Sequence, residues 1–467
     1  MATHKKKKPA KSERSDELEA AVLADPSAEA PRLVYADWLQ SQGDPRGELA
    51  TVQHALQTAK GVAWAKLKAQ ERTLLDEHAA ALYGPLVKWK RGRLTGVDWR
   101  CGFVDGLRGD DFKDEDTARQ FIAEHPSARF IRVVDDVDVG NAVPPCLEVL
   151  RTYGSRMDAV LKHPGLRVLE SSLEGLQLPK NFTHPTLERL VVEDATRALP
   201  VLARAKLPAL KYLGLGLRTR DVAAVTKALT RVKCDELALT ADAFLEELPL
   251  AGLSGLAARI TQLGIRHTVD FSNVEFPRLR TLIVESGEGD GEVFAALHAA
   301  LPALEAVELR YPTDRVRFFR AFVTSAAAKK VKSFRVQVSK PAAGLALTEG
   351  TWDSLTHLDL SFDTTFSLQF LKAEELLAAK CWANLKSLRL APGAVGLLTK
   401  APLASSLETL TLHVDRPSSA WKQALAPLKK LKTLVLEGPR QLEPADLLEL
   451  GVLEALGIEL VWAPRVA

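Results

Sequence analysis

The sequence predicts an α/β right-handed solenoid, with short parallel strands on its concave side and helices on its convex side, preceded by a small all-α domain. Three observations predict it: a recurring triplet of apolar residues, a proline in phase with that triplet, and helical patterning in most of the segments between the triplets. From residue 166 to residue 453, successive triplets begin 19 to 30 residues apart, which leaves room for one strand and one helix in each repeat.

The triplet consists of an apolar residue, two variable residues, a second apolar residue, one variable residue and a third apolar residue. Clean copies begin at Leu187, Leu210, Leu279, Leu304, Leu355, Leu385, Leu407 and Leu431. Looser copies begin at Ala128, Leu166, Cys234, Ile260, Val331 and Leu453. Side chains alternate between the two faces of a strand, so the second and third apolar residues should face the core and the residue between them the opposite, concave side.

A proline stands two positions before the first apolar residue in five copies, namely Pro164, Pro185, Pro208, Pro277 and Pro302. Proline cannot continue a helix, and its fixed φ suits a chain that is entering a strand. Segments such as 221–231 and 315–328 have helical patterning. Each repeat is therefore predicted to be one strand followed by one helix.

This pattern resembles the leucine-rich repeat, whose units stack into a horseshoe. The resemblance covers roughly residues 128 to 460. The sequence lacks the Asn or Cys that usually follows the triplet three positions later, where Asp363 and Gly393 stand in two of the copies. We therefore expect less regular turns than in the common form of the repeat.

The N-terminal region carries the segments Leu18–Pro26, Pro31–Leu39 and Gly43–Leu49, with Ser15 and Asp44 at positions that favour helix starts. These segments resemble the bacterial repeat-companion domain that precedes leucine-rich repeats. The resemblance implies a companion domain followed by repeats and implies no activity. We predict a disordered basic tail at 1–14, the helical companion domain at 15–90, the N-terminal cap of the solenoid at 91–127 and the solenoid at 128–467.

Charge and cysteine content limit the function classes. The chain has 62 Lys and Arg against 59 Asp and Glu, and residues 1–14 alone hold a net charge of +5, so the remainder is close to neutral. A near-neutral body argues against nucleic acid as a partner, because phosphate binding needs a broad basic face. The four cysteines are far apart, and the sequence shows no secretory signal or membrane span. We expect a cytoplasmic protein with no membrane contact.

The sequence carries no recognisable catalytic or metal-binding motif, so we predict no catalytic residues, cofactor or metal. The segment 287–291 has the glycines of a phosphate loop, but its acidic residues would repel phosphate and no Lys follows. One alternative is an enzyme, or an enzyme-regulatory subunit, with a site in the N-terminal helices around Asp37, Asp44 and Arg46. Another alternative is a nucleic-acid-associated protein that uses the lysine tail.

The predicted concave face is the remaining candidate for function. In its early repeats it carries small or apolar residues, such as Val191, Gly214 and Ala238, and in its later repeats it carries mixed charge. The candidate protein-binding residues are Glu285, Glu308, Arg310, Arg335, Gln337, Asp359, Arg389, His413 and Glu437. Paired charges of this kind suit recognition of a protein surface, although exposed strand residues are commonly polar whatever the function. The sequence thus predicts a non-enzymatic module that binds a protein partner. It also predicts that reversing the charge of Arg335 or Arg389, by substitution with glutamate, weakens partner binding without unfolding the protein.

Overall fold

The computed structural model describes residues 14–59, 61–89, 96–109, 115–137, 139–152, 157–171, 176–217, 222–241, 250–265, 271, 273–284, 301–310, 316–338, 341–362, 373–390, 392–438, 444–454 and 456–464. The chain divides into two compact units, Met1–Arg167 and Val168–Ala467. The predicted basic tail, up to residue 13, lies outside the described residues.

The first unit begins with five helices, α1 (Asp16–Ala24), α2 (Ala30–Ser41), α3 (Pro45–Leu56), α4 (Gly61–Glu77) and α5 (Ala79–Tyr83). Ser15 caps α1, because its Oγ accepts the N–H of Leu18 at 3.4 Å. Asp44 caps α3 in the same way, with its Oδ1 2.9 Å from the N–H of Arg46. The helix starts expected at both residues are therefore present.

Strands follow these helices within the first unit. β1 (Val97–Arg100) and β2 (Phe103–Arg108) form an antiparallel hairpin, and β3 (Val133–Asp135) and β4 (Val149–Thr152) add parallel strands after α6 (Glu115–Glu124). The hairpin turn places Cys101 at φ 48° and Gly102 at φ 79°. A Cβ on Gly102 would lie 2.1 Å from the carbonyl oxygen of Arg46, so this turn requires glycine.

The core of the first unit joins the helices to the hairpin. Tyr35 of α2 stacks on Phe103 at 5.3 Å between ring centroids, and Phe130 meets Phe103 edge-on at 4.9 Å. Val22 and Leu39 belong to the same buried cluster. The N-terminal helices thus pack as one compact unit with the residues that follow them.

A buried polar network reinforces this core. The side chain of Arg32 is fully buried, and its Nη2 donates to Asp105 Oδ1 at 3.2 Å and to the carbonyl oxygen of Phe130 at 3.3 Å. Asp105 also accepts two hydrogen bonds from Arg132, at 2.9 and 2.8 Å. Burial lowers the pKa of Arg32. One carboxylate of β2 therefore neutralises a cation that the fold has removed from water.

His125 connects the end of α6 to α5 and is held in its neutral form. Its Nε2 lies 3.1 Å from the carbonyl oxygen of Ala81, and its Nδ1 accepts the N–H of Ser127 at 3.3 Å. Only a neutral ring with its proton on Nε2 satisfies both contacts. Burial lowers the pKa of His125 from 6.5 to about 4.

This histidine predicts a stability loss in mild acid. Because its pKa in the folded protein lies below the unfolded value, its contribution is complete above that unfolded value and is lost as the pH falls toward 4. We expect up to about 2 kcal/mol of unfolding free energy to be lost by about pH 5. Chemical denaturation at several pH values would show a flatter dependence for His125→Gln. Identical pH dependence in the variant and the wild type would contradict the assignment.

The described part of the second unit contains thirteen short strands, each hydrogen-bonded in parallel to the next one along the chain. They are β5 (Val168–Ser171), β6 (Arg189–Val192), β7 (Tyr212–Leu217), β8 (Glu236–Ala241), β9 (Ile260–Ile265), β10 (Thr281–Val284), β11 (Ala306–Leu309), β12 (Ser333–Val338), β13 (His357–Phe362), β14 (Ser387–Leu390), β15 (Thr409–His413), β16 (Thr433–Gly438) and β17 (Glu459–Pro464). The predicted α/β repeat architecture with parallel strands is thereby confirmed.

Burial alternates along these strands as the triplet predicts. Leu190 and Val192 of β6 are completely buried, and so are Leu410 and Leu412 of β15. The residue between each pair faces away from the core, and we call that side of the sheet the open face. Strand register stacks equivalent residues, so that Leu388 lies beside Leu358 and Leu410 and a continuous apolar column runs through the repeats.

The segments between the strands hold short helices. These are α7 (Leu199–Leu202), α8 (Val222–Leu229) and the helices Val316–Val323, Pro341–Ala346, Ala373–Leu377, Trp421–Leu425 and Pro444–Glu454, with several 3₁₀ turns. The helices expected at 221–231 and 315–328 are present in shorter form. No helix in the described ranges is both long enough and apolar enough to cross a membrane.

Candidate protein-binding surface

Strand register brings the predicted charged residues into one row on the open face. Glu308 of β11 lies beside Arg335 of β12, Arg335 beside Asp359 of β13, and Asp359 beside Arg389 of β14. Each is flanked by two buried residues, which fixes its direction away from the core. Because adjacent parallel strands lie about 4.8 Å apart, these side chains are within reach of their neighbours.

The four residues form ion pairs along the row. Arg335 Nε lies 2.9 Å from Asp359 Oδ2, and Arg335 Nη1 lies 3.7 Å from Glu308 Oε1. Arg389 Nη1 lies 3.1 Å from the same Asp359 oxygen. Asp359 is thus shared by two guanidinium groups, and each arginine is held from a neighbouring strand.

Two residues from the adjacent column extend this network. Arg310 Nε pairs with Glu308 Oε1 at 2.7 Å, and Arg389 Nη2 pairs with Glu437 of β16. We call Arg310, Glu308, Arg335, Asp359, Arg389 and Glu437 the charge ladder. It holds three cations and three anions, so its charges largely compensate one another within the protein.

Exposure differs along the charge ladder. The side chains of Glu308 and Asp359 are 20% exposed, whereas that of Arg335 is 46% exposed. Arg389 is more enclosed, at 27%. Burial alone would lower the pKa of Arg389, but its hydrogen bond to Glu437 and the charge of Asp359 raise that pKa overall. The ladder therefore presents mainly guanidinium groups to solvent, above carboxylates that hold them in place.

The remaining candidate residues have different outcomes. His413 is half-buried and lies beside Glu437 in the register of β15 and β16. Gln337 pairs through its backbone position with Ser361, and its side chain is not described. Glu285 lies outside the described residues. The residue pattern thus placed the ladder residues on the same side of the strands, but it did not predict that they form ion pairs with one another.

This self-pairing corrects one expectation from the sequence. In the native protein, Asp359 and Glu437 both neutralise Arg389. The charge reversal Arg389→Glu would place a third carboxylate between these two. Such a change should destabilise the sheet and is unsuitable as a test of binding alone. Arg335, which is more exposed, is the better position to change.

A shallow groove of about 310 Å³ lies over this part of the open face. Its lining includes Thr281, Glu308, Arg335, Asp359 and Arg389, which come from five different strands. It is open to solvent and formed by rows of side chains on neighbouring strands. That form suits contact with a surface better than enclosure of a small ligand.

A second row of ion pairs, which sequence reasoning missed, lies directly before the strands. Lys211 pairs with Glu188 at 2.7 Å, and Lys332 pairs with Glu305 at 2.7 Å. Glu408 contacts Lys432 in the same manner in later repeats. The signal was available in the sequence, because all these residues directly follow the first apolar residue of their triplet.

The early repeats carry less charge on the open face, as expected, but they are not bare. The guanidinium of Arg189 lies 3.8 Å from the ring centroid of Tyr212, and its Nε pairs with Glu170 at 2.6 Å. A Cβ on Gly264 would lie 2.8 Å from Thr240 Cγ2, so glycine keeps the adjacent strip shallow. This cation–π pair could not be recognised before the register of β6 and β7 was known.

In the N-terminal helices, the structure brings together two of the three residues of the alternative site that the sequence raised. Arg46 Nη2 pairs with Asp44 Oδ2 at 2.7 Å, next to the helix cap that Asp44 already provides. Asp37 is exposed on α2. Among the described residues there is no cluster of three or more His, Cys, Asp or Glu that could hold a metal ion. Arg46 therefore forms an ion pair with Asp44, at the start of α3, and the described contacts include none between Arg46 and Asp37.

Comparisons with known proteins add little to this surface. No protein-family model matches the chain, and no curated protein matches it. A chain from the crystal structure of a Rad7 and Elc1 complex in yeast is similar over 82% of this chain and 94% of that chain, with 14% identity and a TM-score of 0.36. At that TM-score the similarity carries no argument, so the fold rests on the register of β5–β17.

Proposed function

We propose that the second unit is a non-enzymatic module that binds a protein partner on the open face of strands β11–β16. The observation that carries the proposal is the charge ladder, in which Arg335 is held by Asp359 at 2.9 Å yet remains 46% exposed. In this proposal the strands line the concave side of a right-handed solenoid and the helices its convex side.

Preorganisation supports a binding role for Arg335. A long side chain usually loses conformational entropy when a partner immobilises it, but Asp359 already restricts this one. A guanidinium carries five N–H donors, and the pairs with Asp359 and Glu308 leave donors available to a partner carboxylate or carbonyl group. Arginine is also enriched among the residues that dominate binding energies at protein interfaces.

We further infer that residues 15–90 are a repeat-companion domain that precedes the repeats, and that the protein works in the cytoplasm. The first inference rests on the segments quoted from the sequence around Tyr35 and Arg46. The second is supported by the cysteines, since Cys101, Cys146, Cys234 and Cys381 are all free and disulfides are rare in reducing compartments.

Arg335→Gln tests the proposed function. We expect it to weaken the complex with a purified protein partner by about tenfold or more, which corresponds to about 1.4 kcal/mol. Unfolding free energy should change by less than about 1 kcal/mol, because the ion pairs of Arg335 are partly solvated. Isothermal titration calorimetry and chemical denaturation would measure the two effects.

Lys422→Gln is the matched control, since Lys422 is exposed on the helix Trp421–Leu425, away from the open face. It should leave partner affinity unchanged. The proposal fails if Arg335→Gln binds as tightly as the wild type, or if only the control variant loses affinity.

A further inference from the structure

A crevice of about 840 Å³ opens on the edge of the second unit where the strands begin. Its walls come from the loops that lead into β7, β8 and β9, and include Lys206, Leu210, Arg231, Lys233 and Arg259. These residues do not belong to the charge ladder. The crevice is therefore a second surface, independent of the proposed function on the open face.

The crevice is strongly cationic. Lys206, Arg231, Lys233 and Arg259 line it, against the single carboxylate of Asp235. The whole chain is almost balanced in charge, so four cations against one anion is a local concentration. In a concave site, such a concentration raises the local attraction for anions.

Hydrogen bonds to the backbone hold the side chain of Arg259 in place at the side of the crevice. Its Nη1 donates to the carbonyl oxygen of Leu229 at 2.8 Å, and its Nη2 donates to that of Val232 and lies 3.6 Å from Cys234 Sγ. These carbonyl groups lie at and just after the C-terminal end of α8, where a cation is favourable. The guanidinium thus ties the loop before β8 to the chain that enters β9.

The other cations are available to a ligand. Lys206, Arg231 and Lys233 are exposed, and among the described residues the structure pairs none of them with a carboxylate. Other lysines along this edge differ, since Lys211 pairs with Glu188 and Lys332 with Glu305. At the crevice, this edge therefore offers positive charge that no carboxylate of the described residues pairs with.

We infer that this crevice binds an acidic segment of a protein partner, with side-chain carboxylates placed against Lys206, Arg231 and Lys233. Charge complementarity favours an anionic occupant, and the solvent-open form of the crevice accommodates a chain that enters and leaves it. Asp235 within the crevice and Glu188 nearby on the same edge would repel the phosphates of a nucleic-acid backbone. Carboxylates spaced along a peptide can avoid both acids, which favours a protein segment over nucleic acid.

The test uses the full chain and a short fluorescent peptide of alternating glutamate and serine, with the glutamine version of the same peptide as the neutral probe. Fluorescence anisotropy should show binding of the acidic peptide only. The variant Lys206→Gln/Arg231→Gln/Lys233→Gln should bind it at least about tenfold more weakly. Arg231→Gln alone should show a smaller loss and supplies the readout if the triple variant is unstable.

The matched control is Lys329→Gln/Lys330→Gln/Lys429→Gln, which removes three exposed lysines from the loops before β12 and β16. It should bind the peptide like the wild type, as should Arg335→Gln, so that failure here is distinguishable from failure of the open-face proposal. Equal losses in both triple variants, or none in either, would overturn the inference. Tighter binding of duplex DNA or phosphatidylserine vesicles than of the peptide, lost in the crevice variant, would overturn it in favour of that partner.

Discussion

Leu388→Ala is expected to lower the free energy of unfolding by about 2 to 5 kcal/mol, the range observed when a packed leucine is truncated. Leu388 is completely buried on β14 and lies in register between Leu358 and Leu410, which are themselves buried. The stacked repeats leave these neighbours little freedom to fill the cavity, because each is fixed by its own strand pairing. Urea denaturation of the full chain, followed by circular dichroism, would measure the loss.

Ser387→Ala is the control for this change. Ser387 precedes Leu388 on the same strand and is only half-buried, so we expect a change within about 0.5 kcal/mol. A loss below about 0.5 kcal/mol for Leu388→Ala would show that the column of stacked leucines is not the core.

Asp105→Ala is expected to cost about 3 to 5 kcal/mol, because it removes the carboxylate that neutralises a fully buried cation. Arg32 would keep its contacts with the carbonyl oxygens of Pro26 and Phe130, but it would lose its ion pair at 3.2 Å. Arg132 would lose the same partner. Chemical denaturation of the full chain, monitored by tryptophan fluorescence, would measure the loss.

Asp98→Ala provides a matched comparison on the neighbouring strand β1. Asp98 pairs with Arg108 at 3.0 Å, but its side chain is 45% exposed, so we expect a loss below about 1 kcal/mol. Similar losses at Asp98 and Asp105 would mean that burial of Arg32 does not determine the stability of this network.

The repeat pattern predicts much of the second unit because strand periodicity is a local property. Leu190 and Val192 are two positions apart, and that spacing alone places both on the buried face. The same rule places Arg335 and Asp359 on the open face. It needs no knowledge of which strands are neighbours.

The contacts within the charge ladder depend on information that local periodicity lacks. Arg389 reaches Glu437 of β16, although β15 lies between their strands. The lengths of the intervening segments differ, so the sequence does not determine how strands align. Arg335 and Arg389 consequently looked equally exposed before the register was known.

Helix capping explains why Arg46 pairs with Asp44 in the N-terminal helices. Asp37 and Arg46 both lie in the segments that resemble the repeat-companion domain, and this proximity in sequence suggested a joint site. A helix cap instead orients Asp44 toward the N–H of Arg46, and the same carboxylate then takes the guanidinium at 2.7 Å. Local hydrogen bonds over two residues compete well with a contact between helices.

The central claim is that a protein partner docks on the open face of β11–β16, and histidine modification of the purified complex tests it most directly. His357 is exposed on β13 and His413 is half-buried on β15, whereas His54 is exposed on α3 in the first unit. Diethylpyrocarbonate labelling read by mass spectrometry should show that the partner protects His357 and His413 and leaves His54 as reactive as in the free chain. Protection of His54 with unchanged labelling of His357 and His413 would contradict the claim and move the docking surface to the N-terminal helices.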